Sequence, residues 1–338
     1  MIRRHSLAPY IQSFFTNRMR LERNLSEYTI DAYRDTFRLL LNYAEMTLGI
    51  VPDKLGIQNL DVELIVKFLW HLENDRKNSI STRNARLAAI RSFFRYVSHR
   101  EPDLLLHCQQ ILNLPTKRGV KKPVEYLADE EINAILSNID SFNWYQKRDK
   151  LIIEVMNETG IRVSELTRIR INELNLSHKS SIRIFGKGRK LRDLPIDEIT
   201  SEKLSKWILL NKKTDTDFLF TTKKGKWLSR DSIERIAKKY SKKAKLICPS
   251  IGSKSISPHI FRHTFAMRML KSGVGLPLVS LWLGHEDIET TMIYVHANME
   301  MKRDALKLVE KLSVNSTHKN VSNEDDASDE LRKFLDDL

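Results

Sequence analysis

The stretch that decides the fold reads SPHIFRHTF from Ser257 to Phe265. A serine followed by a proline is typical of a helix start, because serine can cap free amides and proline fits the first helical position. Phe261 and Phe265 follow at the spacing of one apolar helix face. His259 and Arg262 are three residues apart and share a different face. We therefore predict a helix whose beginning offers a histidine and an arginine to an anion such as a phosphate.

A second polar segment lies downstream, in Leu281-Trp282-Leu283-Gly284-His285, and Tyr294 follows after a gap of eight residues. Glycine commonly ends a helix, so His285 is predicted to lie in the loop behind it. A loop histidine or a tyrosine taken singly is an ordinary feature of a folded protein. Their significance depends on whether they occur together with other residues of one site.

Two more motifs precede these segments. They are Thr159-Gly160-Ile161-Arg162-Val163-Ser164-Glu165-Leu166 and the basic turn Gly186-Lys187-Gly188, which stands between two runs that predict a β-hairpin. In this order and spacing, and with Tyr294-Val295-His296 at the end, the segments closely resemble the tyrosine recombinase or phage integrase family. The resemblance predicts a mainly α fold with a small β-hairpin or sheet (α+β), in which a helical core-binding domain precedes a catalytic domain.

The resemblance also implies a reaction. Tyr294 would attack the scissile phosphate of DNA and form a 3′-phosphotyrosyl link. Arg162 and Arg262 would hold the non-bridging oxygens, because their planar forks suit a phosphate whose charge grows in the transition state. His285 would add a hydrogen bond to the same oxygens.

The remaining roles concern protons and support. Lys187 would protonate the departing 5′-oxygen as general acid, with Lys190 as its rival on the same turn. His259 would accept the tyrosine proton or orient the phosphate, and Glu165 would hold an arginine or histidine in place. The covalent link would conserve the energy of the phosphodiester, so no cofactor is expected. No metal is expected either, since the arginines and lysine would supply the positive charge.

The chain divides by composition into four parts. Two stretches of residues 1–112 have the apolar spacing of one helix face. The first follows Ser26 and comprises Tyr33, Phe37, Leu40, Leu41, Ala44 and Leu48, and the second comprises Leu87, Ile90, Phe94 and Val97. The stretch Arg83-Asn84-Ala85-Arg86-Leu87 is similar to the family's helical core-binding domain. Residues 113–123 are rich in proline and basic side chains, which predicts a linker. Residues 124–312 would form the catalytic domain. Residues 313–338 are acidic and end in an apolar pattern, so they could be a tail exchanged between protomers.

The charge balance predicts the partner. The chain has 57 lysines and arginines against 43 aspartates and glutamates, a net charge of +14. Such a surface attracts polyanions, and counterion release favours nucleic acid. We expect double-stranded DNA as partner and a cytoplasmic, nucleoid-associated bacterial protein, because no apolar run is long enough to span a bilayer. The candidate DNA-binding residues are Arg83, Arg86, Arg91, Arg95, Lys117, Arg118, Lys121 and Lys122.

Two other functions compete with recombination. The region from Gly273 to Gly284 lies between two predicted helices and could belong to a helix-turn-helix regulator without catalysis. A type IB topoisomerase-like enzyme would share the phosphotyrosine chemistry. A zinc protease is disfavoured, because Ile260 stands between His259 and His263 where a glutamate base would be needed.

The resemblance extends to biological context. The segment from Trp282 to Thr291 resembles integrases of bacterial transposon-type mobile elements more than chromosome-dimer resolvases. Family membership implies a tetramer in a synaptic complex on DNA, with sister recombinases or accessory proteins as further partners.

Overall fold

The chain folds into two units, one from Met1 to Lys121 and the other from Lys122 to Leu338. The structure is a computed structural model that describes residues 5–119, 124–186, 191–285 and 288–297, without the side chains of 295–297. The division falls inside the predicted linker. The finer boundaries of the four predicted parts stay a prediction.

The described part of the first unit is a bundle of helices. The apolar spacing after Ser26 forms one long helix, and the Ser26 hydroxyl accepts a hydrogen bond from the Thr29 amide at 3.3 Å. Phe37 and Leu40 on this helix are buried against the second predicted stripe, in which Leu87, Ile90, Phe94 and Val97 are all buried. The helices are α1 (Leu7–Ser13, continued by the π-helix Phe14–Glu22), α2 (Glu27–Leu48), α3 (Val62–Asn74), α4 (Ile80–Ser98) and α5 (Leu105–Leu112).

The described part of the predicted linker, residues 113–119, is held on the first unit. Asn84 on α4 donates to the Lys117 carbonyl at 2.8 Å and accepts from the Lys117 amide at 3.1 Å. The Lys117 ammonium pairs with Glu73 on α3 at 2.6 Å. This part of the segment therefore lies along α3 and α4.

The second unit combines helices with a small sheet. Its described helices are α6 (Asp129–Ser137), α7 (Trp144–Thr159), α8 (Val163–Leu166), α9 (Glu198–Leu210), α10 (Arg230–Ala244), α11 (Pro258–Lys271), α12 (Leu276–Leu283) and α13 (Glu289–Ala297). Helix α7 is surrounded on several sides, because Leu151, Ile152, Ile153, Val155 and Met156 are all buried. The mainly helical fold with one small sheet confirms the predicted fold class.

The sheet contains the predicted hairpin. Its strands β1 (Leu174–Asn175), β2 (Ser181–Phe185) and β3 (Leu191–Pro195) pair antiparallel in that order. Ile182, Ile184 and Leu194 point into the core, and Ile184 pairs with Arg192. The turn of residues 187–190, which contains Lys187 and Lys190, lies outside the described residues.

Two helices of the second unit end at glycines in the left-handed conformation, Gly160 after α7 and Gly284 after α12. Gly160 has a φ of +62°, and a Cβ there would lie 2.6 Å from the Phe265 ring. Only glycine fits that position without strain in the backbone and a shift of the Phe265 ring. In the part of the chain that the structure describes, no helix is both long and apolar enough to cross a membrane.

Candidate active site

The two motif arginines are held by the carboxyl ends of helices. Arg262, in the second turn of α11, donates to the Gly160 carbonyl at 2.8 Å and to the Leu283 carbonyl at 2.6 Å. Arg162, just before α8, donates to the Gly284 carbonyl at 2.7 Å. The last carbonyls of a helix lack partners within it and form its negative pole, so they favour cations. This explains why the two helix-ending glycines occur beside the arginines.

Among the described residues, the arginines keep N–H donors that no protein acceptor uses. A guanidinium has five N–H groups, and Arg262 uses two of its nitrogens on backbone carbonyls. Arg262 is only 4% exposed. Burial and the neighbouring charge of Arg162 lower the pKa of Arg262 to about 10, so it remains protonated at neutral pH. Two cations this close in a buried pocket favour the binding of an anion.

Glu165 lies beneath the arginines and is buried. It accepts a hydrogen bond from the Arg162 guanidinium at 3.1 Å and another from the Arg162 amide at 3.0 Å. It also accepts two hydrogen bonds from Arg192 on β3, at 3.0 and 2.8 Å. Burial pushes the pKa of Glu165 upward, but the hydrogen bonds and charges of Arg192 and Arg162 outweigh it and leave the pKa lowered.

Tyr294 points into the same pocket from α13. Its side chain is 1% exposed, and its hydroxyl lies 2.9 Å from Nδ1 of His263. Its ring stacks on His285 with centroids 6.5 Å apart and an interplanar angle of 10°. Burial raises the pKa of Tyr294, while Arg262 and Arg162 act in the opposite direction. A phenol in this pocket is therefore protonated at neutral pH and needs an acceptor for its proton when it reacts.

His263 and His285 are half-buried in the pocket and neutral, whereas His259 is exposed. Burial, together with Arg262 and Arg162, lowers the pKa of His285 to about 4. Burial, His259 and Arg262 lower the pKa of His263 to about 4 as well. Desolvation and nearby arginines also lower the pKa of His259, at the start of α11. A neutral imidazole has one donor and one acceptor nitrogen, so each ring can direct a hydrogen bond.

The structure gathers most of the predicted site residues around one pocket. Arg162, His259, Arg262, His285 and Tyr294 act on one another electrostatically there, and Glu165 supports Arg162. Lys187 lies outside the described residues. Sequence reasoning missed His263 and Arg192 as members of the site. The four-residue spacing of His259 and His263 was a signal for the first, whereas no motif indicated Arg192.

The candidate DNA-binding residues differ in exposure. Arg95 is exposed, whereas Arg83, Arg86 and Arg91 are half-buried on α4. The Nε atoms of Arg86 and Arg91 are buried and find no hydrogen-bond partner among the described residues. Arg118 is exposed, Lys117 is paired as described above, and Lys121 and Lys122 lie outside the described residues.

Comparison with known proteins agrees with this geometry. Residues 125–301 match the phage integrase family, and residues 12–101 match the phage integrase N-terminal SAM-like domain. The Sinorhizobium fredii protein named "Putative integrase/recombinase y4rC" is 38% identical over 90% of this chain and 92% of the relative. Tyrosine recombinase XerD of Halalkalibacterium halodurans is 30% identical over 86% of this chain and 94% of the relative.

Solved structures share the fold. The XerH site-specific recombinase bound to its difH substrate has a TM-score of 0.64 at 23% identity, covering 85% of this chain and 81% of that protein. The Tn1549 transposon integrase in complex with transposon right end DNA has a TM-score of 0.66 at 18% identity, covering 88% and 98%. The chain therefore belongs to the phage integrase family of tyrosine recombinases. It is a tyrosine-type site-specific recombinase, an enzyme that breaks and rejoins DNA strands by transesterification.

Proposed function

We propose that Tyr294 is the nucleophile and that the pocket around it binds the scissile phosphate of double-stranded DNA. The observation that carries this proposal is the position of the Tyr294 hydroxyl. It lies in one buried pocket with two arginines that, within the described part of the chain, bond only some of their N–H groups to protein atoms. Attack would form the tyrosine-oxygen to phosphorus bond, break the bond to the 5′-oxygen and leave a 3′-phosphotyrosyl link.

Arg162 and Arg262 would bind the two non-bridging oxygens of the phosphate. Both are fixed by helix carbonyls before DNA arrives, so little reorganisation is needed when charge develops in the transition state. His285 would donate from Nε2 to the same oxygens. Its Nδ1 lies 2.7 Å from the Thr291 hydroxyl, and a Thr291 that donates to Nδ1 leaves the ring proton on Nε2.

Proton transfer would involve His263 and Lys187. The resemblance implied that His259 accepts the tyrosine proton or orients the phosphate, and the hydrogen bond of 2.9 Å favours Nδ1 of His263 as the proton acceptor. Because the pKa of His263 is about 4, the proton would move as the new bond to phosphorus forms, not before. Lys187 would protonate the 5′-oxygen as it leaves, and His259 would orient the phosphate.

Both units would contact DNA, with Arg83, Arg86, Arg91, Arg95 and Arg118 of the first unit binding backbone phosphates. Four subunits on two duplexes would make up the synaptic complex, together with any sister recombinases or accessory proteins. The acidic residues 313–338 would then join neighbouring protomers. Because the substrate is DNA, the protein would act in the bacterial cytoplasm at the nucleoid.

We favour a mobile-element integrase over a chromosome-dimer resolvase. The chain is 38% identical to a relative named as an integrase/recombinase and 30% identical to a XerD protein. The direction of the reaction, integration or excision, would be set by the DNA sites and partners supplied.

A nicked suicide substrate tests the proposal. Duplexes made from the DNA that flanks the gene are incubated with the protein, and a covalent adduct is mapped by mass spectrometry. We expect the adduct on Tyr294, and we expect Tyr294→Phe to bind the same duplex without forming it. A regulator would form no adduct in either case. Relaxation of plasmid DNA without a specific site and without strand exchange would indicate the topoisomerase instead.

A further inference from the structure

Three successive carbonyl groups at the carboxyl end of α12 each bind a different arginine. Arg262 and Arg162 donate to Leu283 and Gly284, as described above, and Nε of Arg192 donates to the Trp282 carbonyl at 3.2 Å. The negative pole of this helix is therefore shared by three guanidinium groups. Two of them are motif arginines, and the third has no role in the reaction as proposed so far.

Arg192 is bound on all three of its nitrogens. Nη1 and Nη2 form a two-pronged bond with Glu165, and Nε binds Trp282. Its side chain is 14% exposed and that of Glu165 is 5% exposed. A guanidinium held in this way is not oriented to grip a phosphate. Arg192 acts on Arg162 indirectly, because Glu165 bonds to both arginines.

We propose that Arg192 is a positioning residue that keeps the Arg162 guanidinium available for the scissile phosphate by occupying Glu165. A carboxylate and a guanidinium prefer a bond through two N–H groups and two oxygens. Glu165 makes that bond with Arg192, so Arg162 gives it a single guanidinium contact and directs another N–H group to Gly284.

Loss of Arg192 would change how Glu165 shares its hydrogen bonds between the two arginines. Glu165 would be left buried with one arginine near it, and its free oxygen would draw a second N–H group from Arg162. The Arg162 fork would turn away from the phosphate and towards the carboxylate. The inference rests on the proposed function, since it concerns how that pocket binds the phosphate.

The test measures single-turnover adduct formation on a nicked duplex made from the flanking DNA, with affinity for the duplex measured separately. Arg192→Gln should slow adduct formation by about 100-fold, the effect of a small misplacement of a binding group, and change the affinity less than about threefold. Adding Glu165→Gln to Arg192→Gln should raise the rate of adduct formation again by about tenfold, because a neutral amide no longer binds a second N–H group of Arg162. Restoration by a second change is not expected of a residue that only supports the fold.

A substrate with a neutral methylphosphonate at the cleavage position gives an independent reading. It lacks the charge that Arg162 neutralises, so the penalty of Arg192→Gln should shrink on it as that of Arg162→Gln does. A sulfur atom at the 5′ position leaves without needing a proton. If this substrate instead removed the rate penalty of Arg192→Gln, Arg192 would act through the general acid and the proposal would be overturned.

Arg183→Gln is the matched control. Arg183 lies on β2 of the same hairpin and pairs with Asp193 at 3.0 Å on the exposed face. It should leave the rate and the melting temperature nearly unchanged. An Arg192→Gln protein that melts normally and cleaves like the wild type would contradict the inference, and so would a double variant slower than Arg192→Gln. Absence of an adduct with the wild-type protein would instead refute the proposed function itself.

Discussion

His263 and His285 are neutral residues in a pocket that is otherwise positively charged. Their neutrality follows from burial and from the arginines beside them, which penalise any further positive charge. It suits the proposed chemistry, because a neutral ring can accept a proton from Tyr294 or donate to a phosphate without repelling the arginines. It also makes the stability of the second unit depend on pH.

The sign of that dependence is fixed by the lowered pKa values. Above pH 6.5 the histidines are neutral in both the folded and the unfolded chain, so their titration does not change the free energy of unfolding. Between pH 6.5 and 4 the unfolded chain binds protons that the folded chain excludes, and the folded state loses stability as the pH falls. For His263, with a folded pKa of about 4, the loss at pH 5 is about 2 kcal/mol.

We predict that His263→Gln removes this part of the pH dependence. Glutamine can still bond the Tyr294 hydroxyl but does not titrate, so the variant should lose about 2 kcal/mol less than the wild type between pH 7 and pH 5. Denaturation followed by tryptophan fluorescence measures it, since four of the five tryptophans lie in the second unit. Equal losses for the two proteins would show that His263 is not held neutral by the fold.

At the level of elements, the site depends on where α7 and α12 end. Each helix stops at a glycine, and its last carbonyls then bind arginines from other segments. Gly160 has a second constraint, because a Cβ would meet the Phe265 ring at 2.6 Å. The position of one helix end therefore determines both the packing of α11 and the orientation of Arg262.

Replacing Gly160 with alanine should harm both stability and cleavage. The left-handed conformation alone costs an alanine about 1 kcal/mol, and the clash with Phe265 should add about 2 kcal/mol. Gly49→Ala is the matched control: Gly49 ends α2 at a φ of +67° with no atom within 4 Å of its added Cβ. Gly49→Ala should lower the free energy of unfolding only by the conformational cost of about 1 kcal/mol. It should leave adduct formation unchanged. If the two substitutions affected cleavage equally, the Gly160 carbonyl would not be needed to orient Arg262 for the reaction.

The same elements show how far the sequence predicts the structure. The stripes on α2 and α4, the start of α11 and the glycine after α12 could be predicted, because each depends on residues within a few turns of one another. The bond from Arg192 to Glu165 joins residues 27 positions apart, and the bond to Trp282 joins residues 90 positions apart. Such contacts arise from how β3 packs on α8 and α12, which no local period encodes. For the same reason the sequence did not indicate that His263 is the ring beside the Tyr294 hydroxyl.

At the level of the whole molecule, the nucleophile belongs to the same packed core as the residues that would bind its target. Tyr294 lies in a buried cluster with Phe265 of α11 and Leu283 of α12, the two helices that carry or anchor the motif arginines. Its hydroxyl bonds to His263 of α11, in the same chain. A tyrosine packed in this way is placed to attack a phosphate bound by its own chain, not one bound by a neighbouring subunit.

We therefore predict that cleavage occurs in cis, and mixing two inactive variants tests it. Tyr294→Phe has an intact phosphate pocket and no nucleophile, whereas Arg162→Gln has the nucleophile and a defective pocket. Arg162→Gln is preferable to an Arg262 variant, because Glu165 keeps Arg192 as a partner and the fold should survive. Cleavage in cis leaves the mixture as inactive as either variant alone. If tyrosines were exchanged between subunits, mixed assemblies would pair an intact pocket with an intact Tyr294, and adduct would appear only after mixing.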